Sequence, residues 1–86
     1  DTAETDVIQA RSEHAAWLSA QRAAEDSTRV VQRLRDGYGI GASSLADLLI
    51  AERRYLDSRL MEAEARAQAT FAILKLKIDA HEMWID

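Results

Sequence analysis

The C-terminal half of the chain carries two apolar stripes at helical spacing. One runs Leu49, Leu56, Leu60, Ala63, Ala67, Phe71, Leu74 and Ile78, in steps of three, four or seven residues. The other runs Leu48, Ala51, Tyr55, Ser58, Ala65, Ala69, Ala72 and Leu76. Such steps return to one face of an α-helix, so each stripe predicts a helix with a face to bury. The second stripe consists mostly of small side chains, which let a neighbouring helix come close. The N-terminal half has a weaker pattern, Val7, Ala10, His14, Trp17, Gln21, Ala24, Thr28 and Val31. His and Gln interrupt it, which predicts a face that is partly wet or shared within an assembly.

Glycine occurs only at positions 37, 39 and 41, and proline is absent. The 16 alanines, with many Leu, Glu, Arg and Gln, are strong helix formers on either side of that cluster. The pattern therefore predicts one helical hairpin over residues 1–86, with a helix over about 4–36, a turn over 37–43 and a helix over about 44–84. At 1.5 Å per residue the helices span ~50 and ~60 Å. That is long for a globular helix and points to coiled-coil-like packing. A short connection makes the two antiparallel. Glycines 37, 39 and 41 tolerate positive φ and can reverse the chain. Ser44 is the expected N-cap, with the Asp47 carboxylate reaching back to the Ser44 amide in a variant capping box.

Two stripes on one helix require two neighbours, and a hairpin supplies one. A chain of 86 residues also has a thin core. The expected fold is thus all-α, an antiparallel long helical hairpin that oligomerises into a helical bundle or forms part of an α-barrel. For the isolated chain the expectation is a homo-oligomer, with a dimeric four-helix bundle as the simplest form.

Composition narrows the function classes. The absence of cysteine removes disulfides, thiolate nucleophiles and cysteine-ligated metals. A net charge of −4 does not suit a nucleic-acid grip. No apolar run is long enough to span a bilayer, so no membrane contact by this segment is expected, and no basic–apolar–small leader opens the chain. Ser-His-Asp sets, phosphate loops and His-Glu-x-x-His motifs are missing, so neither catalysis nor a cofactor is expected. His14 and His81 fall toward one end of the hairpin, but a metal site there would need further ligands. Glu25, Arg29 and Arg33 recur at four-residue steps and suit supporting ion pairs on a solvated face. Trp17 and Trp84 are expected to pack along the seam or at its end.

The segment from Arg33 to Leu56 resembles the outer-membrane efflux protein family, the TolC-like channel-tunnels. Tyr38, Gly41, Ser44, Asp47, Leu48, Leu49, Ala51 and Leu56 match the family's turn pattern in register. The Ala-rich stretch to Leu76 is similar to the return helix of the family's second periplasmic hairpin. Ile50 stands where a second Asp is common, and Ser43 where some members carry an Arg. The family's transmembrane β-strands have no counterpart in this chain.

The resemblance implies a passive conduit. Family members are trimers whose long helices pack side by side into a periplasmic α-barrel, so this chain would be one hairpin of a longer Gram-negative outer-membrane protein. Its turn would lie at the periplasmic tip, where Ile40, Gly41 and Ala42 occupy the triplet that docks a periplasmic adaptor protein, and through it an inner-membrane pump. Asp47 matches a position that can ring the constriction, and Tyr38 a tyrosine of the closing network. Local sequence offers plainer roles, with Asp47 capping a helix, Tyr38 packing under a turn and Gly41 turning the chain. The alternative function is a self-associating coiled-coil hairpin, a structural or interaction module unrelated to efflux.

Overall fold

The computed structural model describes the backbone of residues 2–85 and the side chains of residues 2–81. Two long helices, α1 (Thr2–Gly39) and α2 (Leu45–Ile85), fold back on each other as an extended antiparallel hairpin. The rod measures 68 × 14 × 13 Å, and no strand is present among the described residues. The Trp84 side chain lies outside the described residues.

The contact between the helices is a seam of alternating three- and four-residue steps. On α1 the buried and half-buried positions include Ala3, Asp6, Ala10, Glu13, Trp17, Ala20, Ala24, Ser27, Val31 and Leu34. On α2 they include Leu48, Ala51, Tyr55, Ser58, Glu62, Ala65, Ala69, Ala72, Leu76 and Asp79. This is the 3.5-residue repeat of a coiled coil. The residues most deeply buried are small or β-branched: Ala24, Val31, Ala51, Ala69 and Ala72, together with Asp6. No large side chain is fully buried among the described residues. The small-residue stripe of α2 is thus the face that meets α1.

The expected inner face of α1 needs correction. His14 and Thr28 are exposed, whereas Asp6, Glu13, Ala20, Ser27 and Leu34 turn inward. An apolar reading follows one true row, Ala10, Trp17, Ala24 and Val31, and pairs it with the row beside the correct one. Four of the five inward positions it passes over are charged, hydroxylated or small.

The turn is shorter than its glycines suggest. Residues 37–39 belong to α1, because later amides capture the carbonyls that a helix end leaves free. The Ala42 and Ser43 N–H groups donate to the Gly37 carbonyl at 2.7 and 3.1 Å, and Gly41 N–H donates to Tyr38 at 3.1 Å. Among the described residues only Gly41 takes positive φ, at 80°. Gly37 serves differently, since a Cβ there would collide with the Ser43 hydroxyl and lie 3.2 Å from its Cβ. Ser44 caps α2, its hydroxyl accepting the Asp47 N–H at 3.1 Å. The expected return bond from the Asp47 carboxylate is not formed. Aspartate is one methylene shorter than the glutamate this motif uses.

The seam's closeness predicts how it fails. Ala69 is 1% exposed, so Ala69→Leu forces the helices apart and costs about 1–3 kcal/mol. Urea denaturation followed by circular dichroism measures this, and Ala67→Leu, on the exposed side of α2, is expected to cost far less.

Candidate interaction site

Three features of the hairpin are open to a partner: the tip, a groove beside it and the back of α2. At the tip Ile40 is 83% exposed, and Tyr38, Gly41 and Ala42 are exposed with it. Asp47 sits in the first turn of α2, held by its amide to Ser44 while its side chain faces solvent. It lines a groove of about 400 Å³ between the helices, in company with Asp26, Val30, Leu34, Ile50 and Arg54. The groove thus has an apolar floor with two carboxylates and one guanidinium at its edge. The structure brings Asp47 and Asp26 to one groove and leaves Tyr38 outside its lining.

The back of α2 carries the other stripe. Leu49, Leu56, Leu60, Phe71, Leu74 and Ile78 are all between 52% and 65% exposed. They lie roughly half a turn around the helix from the seam. The outward face of α1 is different, with Arg11, Arg22, Glu25, Asp26, Arg29, Arg33 and Asp36 all exposed. One helix therefore shows water a back rich in charge, with Ile8 and Leu18 as isolated apolar side chains, and the other a continuous apolar stripe. On α1, Arg29 pairs with Asp26 rather than with Glu25, and the Gln32 amide donates to Asp36 at 3.1 Å.

Polar contacts between the helices hold their alignment. Arg35 donates from Nε and Nη2 to the two carboxylate oxygens of Glu52, at 2.6 and 2.9 Å. This two-point contact near the tip holds the Glu52 carboxyl below its ordinary value of 4.5, chiefly through the hydrogen bond from Arg35, and it raises Arg35 in turn. Trp17 Nε1 donates to Glu62 Oε1 at 3.3 Å, which gives a carboxylate on the seam a partner. His14 packs edge-on against Trp17, with ring centroids 6.0 Å apart. At the open end Asp6 is buried, its Oδ1 3.8 Å from Lys75 Nζ and its Oδ2 without a hydrogen-bond partner. None of these pairs was identified from sequence. Arg35 and Glu52 carried a signal, as opposite charges close to the turn on either side, whereas Asp6 carried none.

No group of three or more His, Asp or Glu side chains able to hold a metal ion converges among the described residues. No described helix is long and apolar enough to cross a membrane. No protein-family model, curated protein or solved structure matches the chain.

Two measurements test the polar contacts. The Glu52 carboxyl is depressed in the fold, so its contribution is complete above the unfolded value and is lost as pH falls through the folded one. Glu52→Gln is therefore expected to melt below the wild type at pH 7, the gap closing as pH falls from the ordinary carboxyl value of 4.5 through the lower value of the folded state. A gap independent of pH would mean that the charge contributes nothing. Asp6→Ala is expected to raise stability by about 1 kcal/mol, since it removes an unsatisfied buried oxygen and leaves Lys75 in solvent. Denaturant midpoints check this.

Proposed function

We propose that the chain is the periplasmic α-barrel hairpin of an outer-membrane efflux channel in a tripartite export system. The observation that carries this reading is the pair of opposed faces on α2. One face is filled by α1, and the other is apolar and open. A helix in the wall of a hollow cylinder has a neighbour on each side, and α2 is built for two. The turn adds support. Tyr38, Gly41, Ser44 and Asp47 match the family's tip pattern, and Ile40, Gly41 and Ala42 form an exposed apex on which an adaptor can sit.

In this reading the full-length protein is a homotrimer and its hairpins are a conduit, with energy supplied by the inner-membrane pump beyond the adaptor. Asp47 contributes a carboxylate near the mouth, where a ring of like charges favours cations and is blocked by them. Tyr38 belongs to the closing network of the same tip. Asp47→Ala in the whole channel is expected to relax block by divalent cations in bilayer conductance recordings. Unchanged block would remove Asp47 from the conduction path. A reading frame without a second hairpin and flanking amphipathic strands would remove the channel itself.

One observation favours a second reading, a self-associating hairpin that acts as an interaction module. The open apolar stripe is confined to α2, while α1 turns a charged back outward. A hairpin with one sticky side and one wet side can satisfy itself by pairing with a copy.

A further inference from the structure

We propose that the back of α2 is a homotypic interface, on which two copies of this chain pair α2 against α2, antiparallel, about a two-fold axis near Ala63 and Glu64. The inference deepens the self-association reading and does not depend on membership of a channel.

Two observations select a second copy as the occupant. The first is the spacing of the stripe. Leu49, Leu56, Leu60, Ala67, Phe71 and Ile78 follow one another in steps of seven, four, seven, four and seven. That series reads the same in both directions; the other two members of the stripe fall outside it, Ala63 opposite Glu64 and Leu74 opposite Arg53. A two-fold interface is isologous, so whatever residue i meets on the partner must meet residue i in return. A half-turn about the midpoint sets Leu49 against Ile78, Leu56 against Phe71 and Leu60 against Ala67, each pairing occurring twice. The small side chains Ala63 and Ala67 fall near the crossing, where the helices come closest, and the larger ones lie toward the ends. Arg53 and Lys77, also on this side, have aliphatic stems that can cover Leu74 and Ile50 of the other copy while their charges stay in water.

The second observation is area. Leu49, Leu56, Leu60, Phe71, Leu74 and Ile78 are each more than half exposed, so the stripe presents apolar surface on the order of several hundred Å², the scale of the ~800 Å² each partner gives to a standard interface. The face is long enough for such an interface without help from α1, whose charged back would remain in solvent. The product is a four-helix assembly with the two α2 helices inside and the two α1 helices outside.

The test uses the 86-residue chain. Sedimentation equilibrium at micromolar concentration is expected to give about twice the 9.6 kDa chain mass. Phe71→Glu and Leu60→Glu are each expected to weaken association at least ~10-fold with the helical signal retained, because both side chains are exposed in the hairpin. Ser19→Glu, on the back of α1, is expected to leave association unchanged. Since the chain has no cysteine, Ala63→Cys reports on the axis, and oxidation is expected to link it into a covalent dimer while Ser19→Cys stays unlinked. A monomer at high concentration would overturn both the interface and the self-association reading. A dimer that survives Phe71→Glu, or that links through Ser19→Cys and not Ala63→Cys, would overturn this interface alone and leave self-association standing.

Discussion

The hairpin depends on how closely two helices approach along a seam of small side chains. Ala24, Ala51, Ala69 and Ala72 are its most buried apolar groups besides Val31, and no large side chain is fully buried among the described residues. Each methyl removed from water contributes little, of order 0.8 kcal/mol. Adhesion therefore comes from repetition along the rod rather than from depth. Close approach also brings backbone atoms of the two helices within dispersion range, a contact that bulkier seam residues would prevent.

A seam whose most buried groups are small is weak at choosing its own alignment, because sliding one helix by a heptad replaces one small residue with another at several positions, as Ala51 with Ser58 or Ala65 with Ala72. Directional contacts supply the choice. Arg35 grips Glu52 near the turn, Trp17 reaches Glu62 part-way along, and Lys75 faces Asp6 at the open end. Each is modest in free energy, since pairs that are half in water are worth little. Together they mark three places where a shifted alignment would part opposite charges or strand a donor. The turn sets the same alignment from its own end, through the carbonyl of Gly37 and the left-handed Gly41.

Filling the seam with small residues leaves the large ones elsewhere. On α1 the outward positions toward the turn are rich in charge, and only scattered apolar side chains such as Ile8 and Leu18 are left exposed. On α2 the large aliphatic and aromatic side chains gather on the back, opposite the only neighbour that the chain itself provides. The two faces of α2 also differ in kind. The inner face suits tight helix contact, and the outer face suits a second partner that brings its own bulk. Both the wall of a barrel and a two-fold dimer meet that demand, and each leaves the tip of the hairpin free.

From sequence alone came the two helices, their antiparallel pairing, the place of the reversal, the Ser44 cap and the presence of two stripes on α2, one of them made mostly of small residues. These follow from local rules, since helix propensity, glycine placement and three–four spacing act within one chain segment and are visible there. The inner face of α1 was only half legible. Asp6, Glu13 and Ser27 are polar, so a search for apolar periodicity passes over them, and their burial is decided by what α2 places opposite. The tertiary structure also decided that residues 37–39 stay helical, because the amides that complete that helix end come from the far side of the turn. Likewise, which of the two α2 stripes faces inward was a matter of fit between helices. Only the small one lets the backbones close, and the large one is left outside for a partner beyond the hairpin.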